Sequence, residues 1–438
     1  MNASSGAVTT IRLGLLGCGT VGSALARLLA ERGATIAART GIQLEISRIA
    51  VSDLSKTRDP LLDAALFTDD AAAVVAADDV DIVVELIGGV ELPRELVADA
   101  LALGKPVVTG NKALLAMHGA ELYAAADATG VDLLFEAAVA GGIPLMRPLR
   151  ESLVGEPVRR VMGIINGTTN YILTRMTEAG ASYDDALVEA QDLGYAEADP
   201  TADVEGFDAG AKAAIIASIV YGRIVLSDDV HHEGISNLTA DDIEVAARLG
   251  YAVKAIAVVD ADTSAAEPAI AVRVHPALVP LDHPLASVRD SFNAVFIEGD
   301  AVGDLMLYGR GAGGGPTASA VLGDIIDAAV NRAAGTAARI GALPRAQIRP
   351  IDELSSAFYL RIAVVDRPGV LAQVADVFGR NSVSIQSMEQ QGLDDEARLI
   401  FITHVSQEAA VKATLAELRE LEPVSGIHSV IRVVGHDD

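Results

Sequence analysis

The run Gly194-Tyr195-Ala196-Glu197-Ala198-Asp199-Pro200-Thr201-Ala202-Asp203-Val204-Glu205-Gly206-Phe207-Asp208-Ala209-Gly210-Ala211-Lys212 carries five carboxylates and then one lysine. Residues 204–221 have helical periodicity, so Asp208 and Lys212, at i and i+4, share one helix face. Ile215, Ile216 and Ile219 mark that face as apolar. A lysine on an apolar face is seldom tolerated without a partner or a task. Desolvation lowers a lysine's pKa and a neighbouring carboxylate raises it, so the pair could be tuned for proton transfer. The same spacing also suits a helical ion pair on a partly solvated face, which contributes little. Clustered carboxylates could hold a hard cation, although the lysine on the same face argues against a metal there. A substrate ammonium would suit Glu197, Asp203 and Asp208 equally well.

A second element could bind a phosphate. Gly17-Cys18-Gly19-Thr20-Val21-Gly22 is a G-x-G-x-x-G loop between an expected strand and an expected helix, the context in which this pattern carries meaning. Gly17 allows the tight turn, Gly19 lets the backbone approach a pyrophosphate, and Gly22 lets helix and strand pack closely. The helix start supplies N–H donors and partial positive charge. The ribose reader is open between two readings. Asp53 at the end of the second strand favours NAD; Lys56 and Arg58 just after it suit a 2′-phosphate. The sole cysteine, Cys18, lies inside the loop, where its small size is the better reason for it.

The elements that position these residues follow from patterning. Residues 11–17, 44–51, 81–86, 106–109 and 131–135 read as buried parallel strands. Residues 21–32, 93–103 and 112–128 read as helices between them. This alternation implies a doubly wound α/β sheet. Residues 144–308 read as an α+β domain, with helices at 184–193 and 204–221 and strands at 158–165, 252–259 and 293–298. A glycine-dense stretch, 309–315, precedes an Ala-rich helix at 317–334. Residues 335–356 suit a linker. The last unit, 357–438, reads as βαββαβ and is ferredoxin-like. Its strands fall at 358–365, 382–391, 397–405 and 426–434, with helices at 370–379 and 408–421 and an acidic loop between the middle strands.

The chain has 438 residues and a net charge of -27. An acidic surface repels nucleic-acid phosphates and anionic lipid, so neither is expected as a partner. One cysteine permits no internal disulfide and no multi-thiolate metal site. No apolar run approaches the ~20 residues of a membrane span, and residues 1–10 lack the features of a secretion signal. A cytoplasmic protein is the expectation.

Residues 190–212, with Gly-aromatic, Asp-Pro and Asp-x3-Lys in order, resemble the signature of homoserine dehydrogenases. The resemblance extends to Gly17–Gly22, Val83-Val84-Glu85-Leu86-Ile87-Gly88-Gly89, Thr109-Gly110-Asn111-Lys112-Ala113 and segments 135–144, 163–171 and 308–324. Asp366-Arg367-Pro368-Gly369-Val370-Leu371 and Ser384-Ile385-Gln386-Ser387 are similar to an ACT domain. Together these cover nearly the whole chain.

The resemblance implies a Rossmann-type NAD(P)-binding domain (1–143 plus 309–334), a substrate-binding and dimerisation domain (144–308) and an ACT regulatory domain (357–438). It implies Lys212 as the proton donor and acceptor, assisted by Asp208. Glu197, Asp203, Asp208 and Thr168 would bind substrate. Gly17, Gly19, Thr20, Val21, Gly22, Lys56, Gly88, Lys112, Gly194 and Gly313 would meet NADP or NAD, and Gly311-Ala312-Gly313 would fold back onto the first domain. Glu136, Val139, Gly141 and Ile143 match a monovalent-cation (Na+) loop made mainly of backbone carbonyls. Many relatives carry an Arg where this chain has Ser52, which leaves Lys56 as the nearest substitute for holding a 2′-phosphate.

The implied reaction is hydride transfer between a nicotinamide and the carbon shared by L-homoserine and L-aspartate 4-semialdehyde, in the biosynthesis of threonine, methionine and isoleucine. Feedback by L-threonine would act at residues 367–370 and 381–386 of paired ACT domains, in a homodimer or homotetramer. A thioester-forming aldehyde dehydrogenase would need a nucleophilic cysteine in the substrate site; Cys18 is in the phosphate loop. A non-catalytic dinucleotide or amino-acid sensor would not need the Asp208–Lys212 pair.

Overall fold

The computed structural model describes residues 8–262, 268–338, 340–393 and 396–435. Residues 1–7 of the N-terminal segment and residues 394–395 of the acidic loop lie outside the described residues. The described residues form two compact units, one from Met1–Arg159, Ala211–Asp229 and Glu298–Ala346, the other from Arg160–Gly210, Val230–Ile297 and Gln347–Asp438.

The first unit is built on a six-stranded sheet. In chain order its strands are β1 (Thr9–Leu16), β2 (Ile42–Ala50), β3 (Phe67–Thr68), β4 (Ile82–Glu85), β5 (Val107–Thr109) and β6 (Leu133–Leu134), and their spatial order is β3-β2-β1-β4-β5-β6. All pairings are parallel. β4, β5 and β6 are buried along their whole length and almost wholly apolar, whereas β2 alternates, with Glu45 and Arg48 exposed between buried Ile42, Leu44 and Ile49. The order reverses beside β1, and the crevice past the strands' carboxyl ends at such a point is where ligands bind.

The helix after β1 runs from Thr20 to Thr40, eight residues past its expected end. Gly33 costs helix propensity but no hydrogen bond, and buried Ile36 continues the apolar face. The helix stops at Gly41 in the left-handed conformation. The Ala-rich helix Gly314–Ala334 packs against it, and Ala318, Val321, Ile325 and Ala328 share one core with Leu25 and Leu29. Alanines let the two helix axes approach.

The second unit has a long antiparallel hairpin, Tyr251–Asp262 with Ala269–Pro280. The second of these strands carries Arg273, His275 and Pro276 within an apolar run, which hides it from pattern reading. The pairing strand answers Arg273 with Asp260 at 2.6 Å. Burial pushes His275 well below its usual pKa and keeps the ring neutral. Two helices also escape periodicity but have clear starts. Asn166 caps Gly167–Ala179, and Thr239 with Asp242 forms a capping box for Ala240–Arg248. The helix expected at 204–221 is broken into Thr201–Val204 and Phe207–Tyr221 at Gly206, which has φ +86° and lies hard against Val274.

The C-terminal strands Ser355–Val365, Ile385–Leu393, Glu396–Thr403 and Val424–Val433 and helices Val370–Arg380 and Glu408–Glu420 follow the expected βαββαβ order. They are not a tethered module. Val424–Val433 pairs in parallel with Ala269–Pro280 through Ala277–Arg432 and Leu278–Val433. Tyr359, Ile402 and Ile431 share a core with Ile172, Leu173 and Leu278. Within 335–356, Gln347–Ile348 is hydrogen-bonded to Ala269–Ile270.

Buried ions join the same layers. Arg361 donates to Asp242 at 2.9 Å. Arg432 grips both oxygens of Glu408, at 2.6 and 2.8 Å, and reaches Glu233 at 2.7 Å. Burial raises Glu233's pKa, but hydrogen bonds from His231 and Arg432 and the charge of Arg432 outweigh it and hold the group well below the usual range. The stability this provides is complete above the ordinary carboxylate pKa and is lost as pH falls toward the depressed value. Arg432→Met, which strands Glu408 and leaves Glu233 only His231, should therefore cost about 3–5 kcal/mol at neutral pH and weaken that acid dependence, because burial then raises the carboxylates with less to oppose it. Urea unfolding at several pH values measures both.

Candidate functional site

In the first unit the three loop glycines do different work. A Cβ on Gly17, which has φ +102°, would lie 2.7 Å from the Leu86 carbonyl oxygen, and one on Gly22 would lie 2.7 Å from the Gly17 carbonyl oxygen. Neighbouring backbone forbids a side chain at both. Gly19 has negative φ, and a Cβ there would meet nothing within 4 Å. Its lack of a side chain keeps open space at the helix start, where no side chain caps the N–H groups of Thr20 and Val21. Gly314 packs within contact of Thr20, so Gly313 (φ +123°) stands beside the loop.

Past β2 the chain forms an open cavity of about 410 Å3 lined by Val51, Leu54, Lys56, Arg58 and Phe67, among others. The strand ends at Ala50, so Asp53 lies in the turn beyond it. Hydrogen bonds from the Ser55 hydroxyl and N–H hold the Asp53 carboxyl below its usual pKa. Arg58 spans from the Asp53 carbonyl (2.9 Å) to the Cys18 carbonyl (3.0 Å) and so ties this turn to the glycine loop. Lys56 is exposed on the cavity rim.

Glu85, fully buried at the end of β4, organises the next loops. It accepts from Ile87 N–H at 2.9 Å and from the Thr109 hydroxyl at 2.5 Å. The Thr109 oxygen accepts from Asn111 N–H, and Asn111 caps the helix that begins at Lys112. Its amide also reaches the Gly89 carbonyl at 2.8 Å. Gly88 (φ +72°) and Lys112 are thereby set by one carboxylate. Glu85 was not picked out from the sequence, although a charged residue inside Val-Val-Glu-Leu is the signal that marks it.

Glu136 is also buried. Its carboxylate accepts from the N–H groups of Leu145, Met146 (2.7 Å) and Arg147 (2.9 Å), capping the segment that follows. Asp324 accepts from Glu136 N–H at 2.7 Å. Ala140 and Gly141 are left-handed, and Gly141 is pressed against the Gly311 backbone. Among the described residues, no group of three or more His, Cys, Asp and Glu could hold a metal ion.

In the second unit, the Asn166 amide donates to Asp203 at 2.6 Å and to Asp208 at 2.9 Å. The Thr168 hydroxyl donates to the Tyr195 carbonyl at 2.7 Å, beside left-handed Gly194. Asp203 and Asp208 are thus drawn together on Asn166, Thr168 is turned to the Tyr195 backbone, and the Glu197 side chain is exposed. Asp208 and Lys212 lie one turn apart in the helix Phe207–Tyr221, which passes from the second unit to the first at Ala211 and whose Ile215 and Ile216 are buried. Lys212 itself is half-buried.

Family models for "Homoserine dehydrogenase, NAD binding domain", "Homoserine dehydrogenase" and "ACT domain" match residues 17–136, 144–326 and 358–423. A homoserine dehydrogenase of Corynebacterium glutamicum is 50% identical over 434 residues, covering 99% of this chain and 97% of that protein. The chain belongs to the homoserine dehydrogenase family. One from Mycobacterium tuberculosis H37Rv is 46% identical, covering 97% of this chain and 98% of its own. The crystal structure of a homoserine dehydrogenase from Thiobacillus denitrificans superposes with a TM-score of 0.91 at 42% identity, covering 97% of this chain and 98% of that one. A hyperthermophilic archaeal homoserine dehydrogenase in complex with NADPH gives a TM-score of 0.62 at 30% identity, covering 73% of this chain and 98% of that one.

Homoserine dehydrogenase activity is the NAD(P)-dependent interconversion of L-homoserine and L-aspartate 4-semialdehyde, and the chain carries both the NAD-binding and the ACT domain. The glycine geometry separates binding from folding. Gly19→Ala should melt within about 2 °C of the parent yet bind NADPH about tenfold or more weakly. Gly17→Ala should lose about 1–3 kcal/mol of stability from left-handed strain and a backbone clash. Thermal melts beside fluorescence titration with NADPH check both.

Proposed function

We propose that Lys212 moves the substrate proton and that the residues around Asn166 hold the amino-acid end of homoserine. The observation that carries this is the joint placement of Asp203, Asp208 and Thr168, with Lys212 one helical turn beyond Asp208. When bound, the nicotinamide takes or gives the hydride. In the oxidising direction the neutral Lys212 amine accepts the hydroxyl proton at Nζ; in the reducing direction its ammonium returns that proton to the aldehyde oxygen. Asp208 assists Lys212, and Glu197 and Asp203 meet the substrate ammonium.

The residues present fit a dinucleotide. The open space at Gly19 and the uncapped helix start suit a pyrophosphate, with Gly17, Thr20, Val21, Gly22, Gly88 and Gly313 of the same unit around it and Lys112 at the nicotinamide side. We read the preference as NADP, because Lys56 and Arg58 line the cavity past β2 while Ser55 occupies the Asp53 carboxylate. The archaeal relative solved with NADPH agrees with this reading. A monovalent cation would be held by the carbonyls of Val139, Gly141 and Ile143, not by the Glu136 carboxylate, which backbone N–H groups already take up.

Lys212→Ala should lower kcat about 10²–10⁴-fold and leave the NADPH Kd within about twofold. Parental kcat would remove the assignment. The same titration run with NAD and NADP checks the preference, with tighter NADP expected.

Regulation by L-threonine is supported by a cavity of about 340 Å3 at the turn Asp366-Arg367-Pro368-Gly369, reaching Leu371, Gln390 and Leu399 but not residues 381–386. Left-handed Gly369 leaves the start of helix Val370–Arg380 without a side-chain cap, a setting for an amino-acid carboxylate. Deleting the ACT domain is a poor test, because it would strip a shared core and a paired strand. Asp366→Ala should instead keep basal activity and raise the threonine concentration for half inhibition about tenfold or more. A parent enzyme insensitive to threonine would sink the proposal.

A further inference from the structure

We infer that Asn166 is a positioning residue for the reaction: one carboxamide holds two carboxylates, Asp203 and Asp208, that belong to different helices. Asn166 is 5% exposed. Its oxygen accepts from Thr169 N–H at 2.9 Å and its nitrogen reaches Asp203 at 2.6 Å and Asp208 at 2.9 Å. The orientation of the amide follows from chemistry. Thr169 N–H can only donate, so the atom it meets is the oxygen, and the NH2 faces the two carboxylates. Each amide hydrogen has its own acceptor.

The surrounding chain clamps this residue. Gly167 is pressed against the Ser291 backbone, where a Cβ would lie 2.9 Å from the carbonyl oxygen. The Asn170 amide donates to the carbonyls of Asp290 and Phe292 at 2.9 and 3.2 Å. Thr168 is tied to Tyr195. On the other side, Gly206 breaks the chain between Asp203 and Asp208 and turns both carboxylates toward one point. Two anions converging on one point repel. A neutral group that donates to both lets them coexist as carboxylates, fixes their separation and closes the helix break.

The inference rests on the role proposed for Asp208. It is testable because Asn166 has two separable duties. Asp caps helices as well as Asn does, has nearly the same shape, and as a carboxylate cannot donate. Asn166→Asp thus keeps the helix cap and deletes the bridge. Ser also caps, is neutral, and is too short to reach both carboxylates. We expect Asn166→Ser to melt near the parent temperature and Asn166→Asp, which sets a third carboxylate against Asp203 and Asp208, to melt lower; both should lose about 10²-fold or more in kcat/KM for homoserine and keep the KM for NADP within about twofold. The loss should fall on homoserine and spare NADP, a split that a general loss of structure would not produce.

Parental kcat/KM for homoserine in Asn166→Asp would overturn the inference and leave Asn166 as a cap only. If Asn166→Asp does not fold, Asn166→Ser decides: a stable, impaired variant supports the bridge, and a stable, fully active one overturns it. Asp208→Asn serves as the reference. If it keeps parental activity, the reading of Asp208 fails; if it is inactive while Asn166→Asp is active, only the positioning role fails.

Discussion

A charge withdrawn from water needs donors or an opposite charge around it, and in this chain the matching groups come from distant segments. Glu85 ties β4 to the loops before Lys112. Glu136 caps the segment that begins at Leu145 and is itself held by Asp324 of the late helix. Arg361 and Arg432 fasten the C-terminal strands to Asp242, Glu408 and Glu233. Asn166 does the same for Asp203 and Asp208 without carrying charge. Each match fixes a loop or a helix start that the backbone alone would leave free.

This constraint also explains how a chain of net charge -27 accommodates anionic ligands. The first unit presents backbone N–H groups at Gly19–Val21, where the absence of a side chain is the essential feature. Positive side chains are few but local, with Lys56 and Arg58 beyond β2. The acidity is partly structural, since Glu85 and Glu136 are buried and bonded to backbone, and partly directed at the segment around Asp208.

The C-terminal unit is joined more closely than its ferredoxin-like order implies. An effector bound as proposed at the Asp366–Gly369 turn would sit at one end of Ser355–Val365. That strand lies beside Val424–Val433, which in turn pairs with Ala269–Pro280. Because the sheet and core are shared, a change in strand packing at the turn meets the residues that also support Gly206, where Val274 packs. A flexible tether would transmit nothing of that kind.

Local chemistry made much of this legible. The central parallel strands are short apolar runs, the glycine loop sits between strand and helix, and Asp208 and Lys212 are spaced by one turn; each depends on neighbours within a few residues, so the sequence alone determined them. The extension of the first helix past Gly33, the strand containing Arg273 and His275, and the break at Gly206 depend on partners far along the chain. Only the tertiary structure decided them. The same is true of the site's organisers. Glu85 and Asn166 lie inside motifs that are readable as strings, yet their roles come from groups 24 to 42 residues away. Spacing shows which side chains share a face; it does not show which distant donor will neutralise a buried carboxylate, because that depends on how the layers pack.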